Sequence, residues 1–207
     1  MNSSFDENNM NVQEGHLGGY IKSSEKLAPS GLNICNSDPA TWSPSLWLWA
    51  MSALNIKSVI DVGCGEGHSA LFFKHYGCEV LGVDGSELAL RDSRIPKQHV
   101  QHDFTKGAFL PEKQFDMVWC SEFVEHVEER YTENFLQTFT FASQYILMTF
   151  AQPGQPGWHH VNCQEQPYWE HKLQNIGFRF DRQLTDIARK IAGSGHFCRA
   201  GLVFQKI

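Results

Sequence analysis

The spacing of apolar residues changes several times along the chain, and each change marks an element. Residues 1–14 show no apolar period. Residues 15–41 scatter single apolar side chains among Gly18, Gly19, Pro29, Gly31 and Pro39. That pattern predicts an N-terminal arm over 1–41, partly disordered or laid as a lid over a domain running 42–207. A helix follows, with Ser43 as N-cap and Pro44 in its first turn. Leu46, Trp47, Leu48, Trp49, Met51, Ala53 and Leu54 make it apolar nearly all round, which predicts a buried helix.

Beyond it, short apolar runs alternate with helical spacing. SVIDVG (58–63), EVLGVD (79–84), residues 99–104, FDMVWCS (115–121), YILMTFA (145–151), residues 178–184 and residues 197–204 read as strands. Helices are predicted over 68–76, 131–143, 164–175 and about 186–192. In 131–143, Phe135, Leu136, Phe139 and Ala142 share a face. Strands alternating with helices predict a mainly parallel sheet covered on both sides, with a last strand free to return antiparallel.

Composition narrows the function. Seventeen Lys and Arg against 23 Asp and Glu leave a net charge of −6, which disfavours general binding to a nucleic-acid backbone. The six cysteines stand singly with no CxxC pair, so reduced thiols are expected and no zinc cluster. No run of about 18 apolar residues suggests a membrane span, and the polar N-terminus lacks the features of a secretory signal. The expectation is a soluble, cytoplasmic protein.

The chemistry concentrates in VIDVGCGEGHSA. Gly63, Gly65 and Gly67 stand directly after a strand and before a helix, where bare backbone lets a ligand approach. The spacing is not the dinucleotide G-x-G-x-x-G, because position 68 is His68, and no Gly-Lys-Ser/Thr of a phosphate loop follows. Asp84 closes the next strand 19 residues beyond Gly65, where a carboxylate can accept from both ribose hydroxyls. Asp61 could face a cationic amino-acid portion. A nucleoside without an obligatory pyrophosphate, joined to a cationic amino acid, describes S-adenosylmethionine.

On these residues the chain resembles the class I S-adenosylmethionine-dependent methyltransferases, over roughly Ser58 to Ala151 and more loosely beyond. The resemblance implies an α/β, Rossmann-like, seven-stranded and mostly parallel sheet with an antiparallel last strand and helices on both faces. It places Asp61, Gly63, Gly65 and Gly67 on the methionine side, Asp84 on the ribose, and Asp103 with the backbone of Phe104 on the adenine. FDMVWCSEFVEHVEE and PGWHHVN further resemble small methyltransferases of phages and large DNA viruses, which would put the protein in a host cytoplasm.

The resemblance puts the acceptor beyond the fourth and fifth strands, near Glu122, Glu125 and His126 and the loop QPGQPGWHHVN (152–162). Two prolines and two glycines should present Trp158, His159 and His160 outward. His160 is the first choice of general base, followed by His126, His159 and Glu122. Glu and His could hold a divalent cation, but no tight ligand spacing calls for one, so no metal site is predicted. The Asn/Asp-Pro-Pro-Tyr/Phe tetrad of amino-methylating DNA enzymes is absent after the fourth strand. The expected reaction is therefore O-methylation of a sugar, glycan or other small polar acceptor. Two alternatives stand beside it. One is an RNA (cap) methyltransferase, which needs a basic stripe from Lys22, Lys26, Arg179, Arg182, Arg189 and Lys190. The other is a non-catalytic, cofactor-binding partner subunit. A homodimer is compatible with either.

Overall fold

The computed structural model describes residues 38–207, so the expected arm over 1–41 lies outside the described residues except for its last four. A one-turn 3-10 helix (Pro39–Thr41) leads into α1 (Pro44–Ala53), β1 (Ser58–Val62), α2 (His68–His75), β2 (Glu79–Asp84), α3 (Glu87–Arg91) and β3 (His99–Gln101). Then come β4 (Phe115–Cys120), α4 (Thr132–Phe139), β5 (Ala142–Met148), α5 (Gln166–Asn175), β6 (Phe178–Phe180), α6 (Arg182–Ala192), α7 (Gly195–Ala200) and β7 (Leu202–Lys206). The seven strands form one sheet in the order β3-β2-β1-β4-β5-β7-β6. β1 to β5 pair in parallel, and β7 runs antiparallel to both β5 and β6. This is the fold class the sequence predicts.

Strand alternation divides the core. Val59, Met117, Trp119, Leu147 and Val203 point to the face covered by α1, α2, α6 and α7. Ile60, Val62, Val118, Cys120, Ile146, Met148, Leu202 and Phe204 point to the other, against α4 and α5. Central strands buried on both faces must read as continuous apolar runs, which is why they stand out in the sequence. Asp61 interrupts one such run on the α2 face. The order reverses between β1, which continues to β2 and β3, and β4, which continues to β5. Ligands of open α/β sheets bind at the carboxyl ends of the strands flanking such a reversal.

Several element boundaries differ from the sequence reading, each for a local reason. α1 carries Leu48 on its outside, 42% exposed, so it buries one face rather than its whole circumference. β3 stops at Gln101 because Asp103 caps a 3-10 turn, accepting from the Thr105 backbone N–H at 2.9 Å. The helix expected to reach 143 ends at Phe139, since Ala142 already pairs with Phe115 in the sheet. β6 is only three residues long because Asp181 caps α6, accepting from the Leu184 N–H at 2.8 Å. The largest change is at 197–204, where the first half is α7. Phe197 stacks on Trp119 with ring centroids 5.5 Å apart and planes 15° from parallel, and only Leu202 onward joins the sheet.

Candidate functional site

The turn after β1 is built from backbone. Gly63, Gly65 and Gly67 all have positive φ, at 75°, 52° and 81°. At Gly63 a Cβ would lie 2.4 Å from the ring of Phe123, and at Gly67 2.6 Å from Ile95, so both positions demand glycine for space as well as conformation. Asp84, at the end of β2, accepts from the Gly65 N–H at 2.8 Å and from the Ser86 N–H at 2.8 Å. One carboxylate thus fixes the glycine turn and the start of α3, the position from which a ribose can be held. Glu66, buried in the same turn, lies 3.5 Å from His68 and 3.6 Å from Arg94.

Asp61 lies beneath the turn rather than in its mouth. It is 1% exposed, and the Ser69 hydroxyl of α2 donates to it through a short hydrogen bond. Burial outweighs that bond, and with the Asp84 charge nearby its carboxyl is pushed up to about 7. Asp103 is occupied locally: it accepts from the Thr105 N–H and hydroxyl, at 2.9 and 2.7 Å, and meets Lys106 at 3.3 Å. Phe104 is buried and packs edge-on to Phe123 at 5.5 Å, and its carbonyl accepts from Asn134 at 2.6 Å. The structure therefore brings the seven expected donor-side residues to the carboxyl ends of β1, β2 and β3.

The expected acceptor residues separate into two groups. Val124–His126 form a single 3-10 turn, and the 152–162 loop is stitched to it by the Val161 and Asn162 N–H groups, which donate to the Glu125 carbonyl at 2.9 and 3.1 Å. Trp158 and His159 face outward as predicted, but His160 is turned inward and half-buried. Its ring occupies the space beside Gly157, where a Cβ would be 2.2 Å from it. His126 and His160 stack edge to face at 5.1 Å. Each has its Nδ1 against a backbone carbonyl, His159 at 3.2 Å and Gln155 at 3.3 Å, which leaves the other nitrogen for a ligand.

One ligand atom each of Glu125, His126 and His160 lies within 4.8 Å of the others. Glu125 is completely buried, and its carboxylate has no side-chain hydrogen-bond partner, only the backbone of Phe123 and of Glu125 itself close by. Burial, then the Glu122 charge, push it up to about 8, while burial and the neighbouring His160 bring His126 down to about 4. Two imidazoles facing a buried carboxyl form a donor set that fits a divalent cation.

The second group borders a cavity of about 420 Å³ beyond the carboxyl ends of β4 and β5. Its lining includes Glu122, Phe150, Gln152, Gln155, His196 and Arg199. Of the four expected catalytic residues, only Glu122 lines it. Glu122 is held with φ at 52°; its N–H donates to the Thr149 hydroxyl at 2.8 Å, and that hydroxyl donates to its carboxylate at 3.0 Å. Sequence reasoning missed His196 and Arg199 because the strand predicted over 197–204 hid the helix that carries them. The Gly193-Ser194-Gly195 turn was the available signal.

Residues 60–139, less than half of the chain, match the family model described as a methyltransferase domain. A ubiquinone biosynthesis O-methyltransferase of Azoarcus sp. (strain BH72) is 36% identical over 88 residues, covering 39% of this chain and 38% of that protein. The mitochondrial counterpart from Schizosaccharomyces pombe is 32% identical over 85 residues, covering 35% of this chain and 30% of its own length. The chain thus matches well under half the length of these curated relatives. Among solved structures, magnesium protoporphyrin IX methyltransferase (ChlM) from Synechocystis PCC 6803 with bound SAH superimposes with a TM-score of 0.60 at 15% identity, over 88% of this chain and 89% of that one. A TehB-like SAM-dependent methyltransferase from Corynebacterium glutamicum ATCC 13032 gives a TM-score of 0.60 at 17% identity, over 86% and 94%. At these identities the likeness is one of fold, and the fold is that of the SAM-dependent methyltransferases. The viral resemblance finds no support in these proteins. Among the described residues no helix is long and apolar enough to cross a membrane.

Proposed function

We propose that the chain is an S-adenosylmethionine-dependent methyltransferase acting on a hydroxyl of a small polar acceptor. The observation that carries this reading is the glycine turn after β1, tied by the Gly65 N–H to the Asp84 carboxylate at 2.8 Å beside the β1/β4 reversal. In this reading Asp84 accepts from the ribose hydroxyls, the glycine backbone lies along the methionine portion, Asp61 braces that turn from beneath through Ser69 rather than facing the ligand's positive charge, and Asp103 with Phe104 borders the adenine. Methyl transfer from a sulfonium is an in-line displacement with a good leaving group, so the protein's main work is alignment and exclusion of water. The choice of oxygen rests on the missing Pro-Pro tetrad and on O-methyltransferases among the partial relatives. A sugar hydroxyl is the first acceptor to test, because Trp158, 46% exposed at the loop, offers a face for stacking.

The cluster of Glu125, His126 and His160 favours a second feature, a divalent cation held by these three residues. When bound it would polarise an acceptor oxygen. Two experiments test the reading. Calorimetry should show S-adenosylmethionine and S-adenosylhomocysteine binding to the folded protein, and binding of neither would refute the assignment. A labelled-methyl screen over glycans, small hydroxylated acids and capped RNA, with and without chelator, should show transfer to a hydroxyl compound. Transfer to RNA alone would replace the acceptor class, and cofactor binding without any transfer would favour the silent partner-subunit reading.

A further inference from the structure

The one cavity-lining imidazole is held as no other histidine described above is held. His196 has Nε2 2.6 Å from Asp38 Oδ2, while Nδ1 lies 3.3 Å from Glu122 Oε2 and 3.3 Å from the Arg199 guanidinium, on the cavity side. Asp38 reaches it from the segment preceding α1. Its other oxygen accepts from the Ala40 N–H at 2.8 Å, which caps the 3-10 turn and fixes the carboxylate. The approach depends on Gly195, whose φ is 77° and where a Cβ would fall 2.2 Å from the Ala40 carbonyl oxygen. Two segments 158 residues apart in sequence are therefore packed backbone to backbone so that a carboxylate can hold the far nitrogen of an imidazole. A carboxylate on one imidazole nitrogen, with the other nitrogen on the cavity side against the side-chain ends of Glu122 and Arg199, forms an arrangement that orients a general base once an acceptor displaces those two contacts.

We propose that His196 is the proton acceptor for the methylated hydroxyl and that Asp38 positions it. The proposal rests on the methyltransferase reading and deepens it. The acceptor's hydroxyl would enter from the cavity and take the place of Glu122 Oε2 at His196 Nδ1, with Glu122 displaced beside it. As its lone pair forms the bond to the methyl carbon, the carbon–sulfur bond breaks and its electron pair stays on sulfur, giving the neutral thioether. The hydroxyl proton passes to His196 Nδ1, with Nε2–H remaining on Asp38. Arg199, one turn along α7, has no carboxylate within ion-pair distance among the described residues and can pair with an acidic group on the acceptor. Because Arg199 and not Trp158 lines this cavity, the acceptor narrows here from a sugar hydroxyl to a small hydroxylated acid.

The charged groups facing His196 are Asp38, Glu122 and Arg199. Burial and Arg199 oppose its protonation, but the Asp38 hydrogen bond and the two carboxylate charges outweigh them, so its pKa is raised. A base must be neutral to act, so the rate should rise with pH through that pKa.

The test uses the full chain with labelled S-adenosylmethionine and 3,4-dihydroxybenzoate, a small dihydroxy acid, together with imidazole NMR of His196, which needs no acceptor. His196→Gln should lower kcat at least 100-fold while leaving cofactor affinity within twofold. Asp38→Asn should lower kcat about tenfold, shift the acidic limb of the rate profile to lower pH and lower the His196 pKa by NMR, with Asp38→Glu restoring much of each. The neutral ring should carry its proton on Nε2. A neutral ring protonated on Nδ1, an unchanged His196 pKa in Asp38→Asn, or wild-type turnover retained in His196→Gln would overturn the proposal. Those outcomes leave the methyltransferase reading intact, which instead fails if the wild-type protein binds neither S-adenosylmethionine nor S-adenosylhomocysteine.

Discussion

The two ends of the β1/β4 reversal are built from different materials. On the β1–β3 side the candidate site is mostly backbone, a turn of three glycines pinned by one carboxylate from the adjacent strand, all within residues 61–104. On the β4–β7 side it is mostly side chains drawn from Asp38, Glu122, the 152–160 loop and His196. Each side holds a buried acid. Asp61 has the Ser69 hydroxyl and is pushed up to about 7, whereas Glu125 has no side-chain partner on either oxygen and is pushed up to about 8. The first acid belongs to a closed local network. The second is left in a state that native structures rarely tolerate unless something else completes it. On the proposed reading, the donor side is formed before any ligand arrives, while the acceptor side is finished by what it binds.

The largest effect that can break this comparison is on stability. An acid whose folded pKa stands above its unfolded value is most stabilising when protonated, below the unfolded pKa. For Asp61 that contribution is lost as pH rises from about 4 through about 7. Raised from 3.8 to about 7, the shift corresponds to on the order of 4 kcal/mol. Asp61→Asn keeps an acceptor for Ser69 and removes the titration. Its unfolding free energy relative to wild type should rise between pH 5 and pH 8 by a few kcal/mol, read from denaturant melts at both pH values. A parallel pH dependence in the two proteins would show that Asp61 is already ionised and that the donor side is not closed.

Asp84 is next. Truncation to Ala removes the proposed charged acceptor of ribose hydroxyls and frees the Gly65 N–H, so cofactor affinity should fall by roughly 1.5–3 kcal/mol. Calorimetry with S-adenosylhomocysteine separates this from turnover. Unchanged affinity would show that the carboxylate only braces the turn.

The same contrast explains what could be read from the chain alone. Gly63, Gly65, Gly67 and Asp84 are near one another in sequence, and their spacing follows from parallel register, so strand, turn and next strand locate them without tertiary information. The matched family model also covers this side, residues 60–139. The acceptor side was legible only in outline. Glu122 does line the cavity, but His160 was expected at the mouth and instead turns toward Glu125, because the loop is anchored by the Glu125 carbonyl and the ring packs against Gly157. His196 could not be found. The Phe197-to-Phe204 stretch has strand-like composition, and only the docking of Phe197 on Trp119 makes its first half a helix. The pairing of His196 with Asp38 requires contact between the two ends of the described chain.

A smaller effect sharpens the incomplete character of the acceptor side. If Glu125 takes a divalent cation, binding must displace its proton wherever pH lies below about 8, while His126, brought down to about 4, contributes none. Manganese affinity should therefore rise about tenfold, near 1.4 kcal/mol, per pH unit between 6 and 7 and level off above 8. Titration calorimetry in buffers of different ionisation enthalpy would show about one proton more released by the wild-type protein than by Glu125→Gln. Glu125→Gln should bind weakly and without that slope. A wild-type protein with no manganese affinity at pH 8 would remove the cation.

The smallest expected effect concerns Asp103, the donor-side residue most heavily used by its own turn. Its Oδ1 serves both the Thr105 N–H and hydroxyl, and its Oδ2 meets a lysine, Lys106, that is 80% exposed, so that ion pair contributes little. Asp103→Ser keeps a capping oxygen for the Thr105 N–H while removing the charge, so unfolding stability should change by no more than about 0.5 kcal/mol. If the carboxylate also accepts from the adenine amino group, affinity for S-adenosylhomocysteine should fall about fivefold, near 1 kcal/mol. Inosine-containing cofactor, which lacks that amino group, should then bind both proteins equally. Equal affinity of wild type and Asp103→Ser for the adenine cofactor would reduce Asp103 to a cap, leaving the backbone beside Phe104 to recognise the base. The donor side would then depend on main chain throughout, with Asp84 its single indispensable side chain.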